Sequence, residues 1–247
     1  MNAYVSLARY YDSLTTDVPY GTFVDFYEKI FEKYGVKPNT ILDLACGTGT
    51  LTGIMCKRGY DMIAADASED MLMQAQAKLS CLDKMPLLLC QSMEELDLYG
   101  TVEATICSLD GINYAEPDAL PEIFHRVHLF TEPGGVFIFD INTPEKLRGL
   151  EGQIFVDETD DVFCVWRAEL TEEKDACFYG MDLFQKQKST WRRTKEEHLE
   201  YIYEPDVLTK LLENAGFCDI NIYGELKLTP PECGEQRVFI ACRRNFD

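Results

Sequence analysis

Histidine and positive charge are both scarce in this sequence. Three histidines occur in 247 residues, and 23 Lys and Arg stand against 43 Asp and Glu, for a formal net charge of −20. The ten cysteines form no CxxC pair. The clustered donors of a zinc site are therefore missing, and no metal is expected. Such an acidic chain repels phosphate backbones, which argues against sequence-independent binding of nucleic acid. The anionic face of a membrane is disfavoured for the same reason. No apolar run reaches the ~18 residues of a transmembrane span. The N-terminal MNAYVSLARYYDSLTT lacks the basic and apolar regions of a signal peptide. Low-complexity tracts and internal repeats are absent. These gaps, with cysteines embedded in apolar runs, predict a reduced, cytoplasmic protein.

What remains is ample for a core, since 46% of the residues are hydrophobic. The length fits one large domain, or one domain carrying an insertion. Residues 40–46, 61–67, 87–92, 102–109 and 135–141 read as strands, because their apolar runs are continuous, as in parallel strands covered on both faces. Helical periodicity lies between them. Met71, Leu72, Ala75 and Leu79 recur at helical spacing after Ser68, as do Leu120, Ile123, Phe124 and Val127 after Pro117. Phe23, Tyr27, Ile30, Phe31 and Tyr34 make an apolar helix face ahead of the first strand. Near the C-terminus, Pro205 opens a helix that Gly216 closes, and two strands follow that should pair antiparallel. The alternation predicts an α/β, Rossmann-like fold with a seven-stranded mixed sheet, its last strand antiparallel and helices on both faces.

Residues 150–204 break this pattern. VFCVWRAEL, ACFYGMDLFQKQ and STWRRTKEEHLEYIY are rich in β-branched and aromatic residues and are separated by polar turns. They predict a small inserted antiparallel sheet that caps the carboxyl edge of the main one. The expected division is a core of residues 1–149 and 205–247, with its N-terminal lid region, and a cap of residues 150–204.

ILDLACGTGTLT, residues 41–52, carries the clearest chemistry. A strand ending near Asp43 opens into Gly47 and Gly49, a turn that lets backbone approach a ligand closely. The position three beyond Gly49 is Thr52, so the GxGxxG of dinucleotide sites fails. No lysine follows the loop, so it is not a P-loop. Asp66 ends the second strand, where a carboxylate can accept both hydroxyls of a ribose. Ser68 caps the next helix and brings Met71 to the same edge. Gln91-Ser92-Met93 ends the third strand, where a polar group can meet an adenine edge and Met93 can cover its face.

Together these residues resemble the class I S-adenosylmethionine-dependent methyltransferases. The resemblance implies S-adenosyl-L-methionine as cofactor. Its methionine part falls to Ala45, Gly47 and Gly49, its ribose to Asp66, and its adenine to Ser92 and Met93. Asp43, Ala67, Met71 and Leu109 join the expected contact set, and Tyr11 and Tyr20 close over it from the N-terminal segment. Asp43 has the alternative of bracing the turn. Two departures stand out: Ala45 replaces the first glycine of the usual loop, and Ser92 stands where many members have Asp. A sulfonium methyl is already activated, so the protein mainly aligns a nucleophile with the S–CH3 bond. A base is needed only when that nucleophile has a proton to lose.

The substrate side is less marked. Asp110, Asn113 and Tyr114 in SLDGINY follow the fourth strand and could contact an acceptor. Asp110 and His198 are the catalytic candidates, although His198 reads more readily as an exposed residue of a polar strand. His125 and His128 read as surface, and Arg192 and Arg193 as partners of Glu196 and Glu197 or, alternatively, as a basic contact for an anionic group of the substrate. The expected function is methyl transfer to a nitrogen or oxygen of a small molecule by a monomer or homodimer. The partner is that acceptor rather than nucleic acid or membrane. An NAD-type oxidoreductase and a non-catalytic ligand-binding protein are the competing readings.

Overall fold

A computed structural model describes residues 7–246. In chain order the elements are α1 (Ala8–Leu14), α2 (Tyr20–Tyr34), β1 (Thr40–Leu44), α3 (Thr50–Lys57), β2 (Asp61–Asp66), α4 (Glu69–Leu79), β3 (Leu87–Cys90), β4 (Val102–Cys107), α5 (Leu120–Phe130), β5 (Thr131–Asn142) and α6 (Pro144–Gly149). They continue with β6 (Ile154–Glu158), β7 (Val162–Leu170), β8 (Ala176–Gln187), β9 (Thr190–Tyr201), α7 (Pro205–Asn214), β10 (Phe217–Tyr223) and β11 (Arg237–Arg244).

The main sheet has the order β10-β11-β5-β4-β1-β2-β3. Strands β1 to β5 are parallel, β11 runs antiparallel to β5, and β10 antiparallel to β11. Strand order reverses between β1 and β4, so the loops after those strands splay apart and leave a crevice at the carboxyl edge. Period-2 alternation explains why the strands read as unbroken apolar runs. Ile41, Ile106 and Ile138 face α2 and α3, while Leu42, Leu44, Phe137 and Phe139 face α5 and α7. Helix α2 buries Phe23, Val24, Phe26, Tyr27, Ile30, Phe31 and Tyr34 on one side, and Gly35 at φ +66° ends it. Ser68 Oγ accepts the Met71 N–H, which fixes the start of α4 as the sequence predicts.

The inserted sheet has the order β6-β7-β8-β9 and is antiparallel throughout. It holds four strands where the sequence points to three. The short edge strand β6, with Ile154 and Val156 exposed, lacks the buried alternation that marks the others. Most of the YYDSLTT stretch belongs to α1. Leu7, Tyr10, Tyr11 and Leu14 pack on Val162, Cys164 and Leu183 of the inserted sheet, so α1 gains its stability from tertiary contact rather than propensity.

Two surface expectations change. His198 is 6% exposed, because it alternates with buried Glu196 and Glu200 on the inner face of β9. Arg193 pairs with Asp182 of β8 at 2.6 Å rather than with Glu196 or Glu197, since β-register sets neighbours across strands and not along them. Among the described residues, no helix is long and apolar enough to cross a membrane, and no group of acids, histidines and cysteines is placed to hold a metal.

Candidate active site

The crevice is a cleft of about 810 Å³ along the carboxyl ends of β1, β2, β3 and β4, within the size range of small-molecule sites. Its floor is the loop after β1. Ala45 at φ 59°, Gly47 at φ 56° and Gly49 at φ 71° are left-handed, so the chain turns three times within five residues. A Cβ at Gly47 would meet nothing within 4 Å, because that position opens into the cleft. Gly49 differs. It is buried under α4, where a Cβ would lie 3.0 Å from Leu79 Cδ1 and 3.1 Å from Ala75 Cβ. Gly49 therefore serves packing and does not line the cleft, whereas Gly47 does.

Asp43 belongs to the β1 face that meets α3, is 2% exposed, and accepts the hydroxyl hydrogen of Thr52. Burial, resisted by Thr52 and reinforced by the charge of Asp66, raises its carboxyl to about 7. It braces the turn and lines the cleft, so the two roles weighed for it are compatible. Asp66 joins two segments: Oδ2 accepts Gly47 N–H at 2.8 Å, and Oδ1 accepts Ser68 N–H at 2.8 Å. Burial raises its pKa despite both bonds. Each carboxylate oxygen has a second lone pair, so acceptor capacity remains.

Tyr11, Tyr20, Ala45, Ala67, Met71, Ser92, Met93 and Leu109 also line the cleft. Every residue expected to touch the cofactor, except Gly49, is thus brought together. The two catalytic candidates are not. Asp110 contacts Arg237 Nη2 at 2.7 Å, and His198 lies behind Tyr114, with ring centroids 6.4 Å apart at 87°. Asn113 is buried and structural, donating to Tyr201 O at 2.9 Å and accepting from Asn142 N–H at 2.9 Å.

Sequence reasoning missed a fastening at one end of the cleft. Asp12 of α1 accepts Thr48 Oγ1–H at 2.6 Å and Thr50 Oγ1–H at 3.2 Å, and it pairs with Lys78 Nζ of α4 at 2.6 Å. Desolvation is outweighed by these bonds, so the Asp12 pKa falls below its usual value. At the other end of α1, Leu7 N–H donates to Glu196 of β9 at 2.8 Å. The hydroxyls of the GTGT stretch were visible as polar groups beside the glycines. Nothing in the sequence links Asp12 to Lys78, 66 residues away, because only the packing of α1 on α4 joins them.

The cleft lining holds six acids, Asp43, Asp66, Glu69, Asp70, Glu94 and Glu116, and no lysine or arginine. A pyrophosphate there would meet carboxylates without a counter-charge, which argues against NAD. A ligand with net positive charge fits. S-Adenosylmethionine has that charge from its sulfonium and ammonium, a diol for Asp66, and a slim chain that can pass the bare backbone at Gly47.

The methyltransferase-domain family model matches residues 41–135. A Bacillus subtilis (strain 168) protein named as a candidate methyltransferase, YqeM, is 26% identical over 246 residues, covering 98% of this chain and 97% of that protein. The crystal structure of an S-adenosylmethionine-dependent methyltransferase from Clostridium acetobutylicum ATCC 824 superposes with a TM-score of 0.87. Its identity is 29%, over 98% of this chain and 99% of that one. The sugar N-methyltransferase KedS8 from Streptoalloteichus sp ATCC 53650 shares the fold, with a TM-score of 0.76 and 17% identity over 92% of this chain and 88% of that one. Residues 41–135 thus match a methyltransferase domain, and that match, the relatives and the mixed seven-stranded sheet together support a class I S-adenosylmethionine-dependent methyltransferase.

Proposed function

We propose that the enzyme methylates a nitrogen or oxygen of a small molecule, with the cofactor seated in the acid-lined cleft. Bound there, S-adenosylmethionine supplies an electrophilic methyl group. Asp66 accepts hydrogen bonds from its ribose diol. Gly47 and Ala45 hold backbone against the methionine part, Ser92 and Met93 flank the adenine with Met71 beneath, and Tyr11 and Tyr20 cover the cleft from above. The single observation that carries this reading is Asp66, whose carboxylate is fixed by two backbone N–H groups while keeping acceptor capacity, in a cleft lined by six acids and no base.

A small acceptor is supported by the inserted sheet and α1, which together roof the carboxyl edge and leave a crevice rather than a broad face. The net charge of −20 disfavours nucleic acid as acceptor. All ten cysteines are free thiols, in keeping with a reducing cytoplasm. KedS8, whose name describes a sugar N-methyltransferase, shares the fold, which is compatible with a small acceptor.

The test is methyl transfer from radiolabelled S-adenosylmethionine in a fractionated cell extract. Label is expected in the low-molecular-weight fraction. Label confined to RNA or protein would overturn the small-acceptor reading.

A further inference from the structure

Beyond Leu109 and Gly111 the cleft wall continues through Tyr114, on the short turn at 111–114. The Tyr114 hydroxyl donates toward Glu200 Oε1 at 3.5 Å. Glu200 belongs to the inner face of β9 and is 6% exposed. Its Oε2 accepts Asn142 Nδ2–H at 2.8 Å, and Asn142 Oδ1 accepts Lys146 Nζ–H at 2.7 Å. The turn is itself held from below: Asp140 accepts the N–H groups of Leu109 and Asp110 at 2.8 and 2.9 Å. Those two consecutive left-handed residues would otherwise be costly. Tyr114 is therefore a rigid group with its ring on the cleft and its hydroxyl on a buried carboxylate.

We propose that Tyr114 is a catalytic residue that takes a proton from an amine acceptor, and that Glu200 is the positioning residue that orients it and receives the proton onward. This rests on the cofactor-cleft reading above. The acceptor nitrogen uses its lone pair to form the N–CH3 bond while the S–CH3 bond breaks and its electron pair stays on sulfur. The nitrogen becomes cationic and gives one proton to the Tyr114 oxygen as the Tyr114 proton passes to Glu200. Atoms and charge balance, with Glu200 ending neutral.

An amine is favoured over an alkoxide by the local charge. Glu200 faces Asp110 from the turn, Arg237 from β11, Lys146 from α6, and Tyr179 from β8. His198 stands two residues away on the same strand, against the Tyr114 ring. Arg237 is taken up by Asp110 and Asp140, and Lys146 by Asn142. An alkoxide would approach a carboxylate, whereas a nitrogen gaining positive charge is stabilised by it. Burial, then the charge of Asp110, raises the Glu200 carboxyl to about 7 against the pull of Asn142, Lys146 and Arg237, which suits a proton acceptor near neutrality.

Two cofactor analogues test this without a known acceptor. Sinefungin carries an amine where S-adenosylmethionine carries its methyl-sulfonium, and S-adenosylhomocysteine has a bare thioether. The ratio of their affinities, measured by calorimetry on the full chain, isolates the group at the methyl position. Sinefungin should be preferred at neutral pH, and the preference should shrink on the acid side as Glu200 protonates. Tyr114→Phe should reduce the preference on the order of tenfold, the loss of one charge-assisted hydrogen bond. Glu200→Gln should remove its pH dependence. Both variants keep the shape of the packed side chain, and circular dichroism checks that they fold. An equal preference in wild type and Tyr114→Phe, or a pH dependence surviving in Glu200→Gln, overturns the proposal. Wild-type protein that binds neither analogue sinks the cleft reading, and this inference with it.

Discussion

Asp66→Ala tests the centre of the cofactor site. In the structure each Asp66 oxygen accepts one backbone N–H at 2.8 Å, which leaves one lone-pair direction per oxygen for a ribose diol. A hydrogen bond to a charged group contributes about 1.5–3 kcal/mol. Losing that stabilisation weakens binding about 10- to 150-fold. S-Adenosylhomocysteine titrated by calorimetry should show this fall, and adenosine, which lacks the amino-acid half, should lose a similar factor. The sign with pH follows from the raised carboxyl: affinity of the wild type declines toward acid as Asp66 neutralises, and the variant lacks that decline. Some stability is lost as well, because Gly47 and Ser68 N–H groups lose their acceptor, so melting temperature must be followed in parallel. A folded variant that binds both ligands with wild-type affinity would refute the ribose assignment.

Gly47→Ala and Gly49→Ala should separate binding from packing. Alanine at Gly47 projects into the cleft and should weaken S-adenosylhomocysteine binding at least tenfold, while at Gly49 it meets Leu79 and Ala75 and should cost about 1–3 kcal/mol of stability by urea titration. Asp12→Asn should accelerate S-adenosylhomocysteine release about three- to tenfold in stopped flow, with less than ~1 kcal/mol change in stability, since the Lys78 pair is partly exposed. Asp43→Asn should alter the pH dependence of stability. The Asp43 carboxyl is raised from 3.8 to about 7, so its contribution is fully present below pH 3.8 and lost as pH rises through about 7. The asparagine variant should therefore gain on the wild type by up to about 4 kcal/mol between those limits, read from urea midpoints across pH.

The parallel strands and their helices were legible because each is specified locally. Continuous apolar runs, a Ser68 cap and a Gly35 or Gly216 stop are all encoded within a few residues of where they act. The loop after β1 and the acid after β2 were legible for the same reason, since close backbone approach and a strand-end carboxylate leave fixed spacings. Gly49 shows the limit of that logic: its place in the motif pointed to a ligand, and its side faces Leu79.

Tyr114 stood among the candidates on the sequence, but the network behind it was out of reach of sequence reading. Glu200, Tyr114, Asn142, Lys146 and Arg237 are spread over more than 120 positions, and no local pattern joins them. His198 was read as exposed because β9 looks polar, yet the face it shares with Glu196 and Glu200 turns inward under α1 and the 111–114 turn. The sequence by itself determined the strand–helix alternation, the glycine turn and the acid that ends β2, because backbone conformation and periodicity are short-range properties. The tertiary structure alone decided which buried carboxylate stands behind Tyr114 and which helix fastens to the glycine turn. Those depend on how an inserted sheet docks, and docking is set by complementary surfaces assembled from distant parts of the chain.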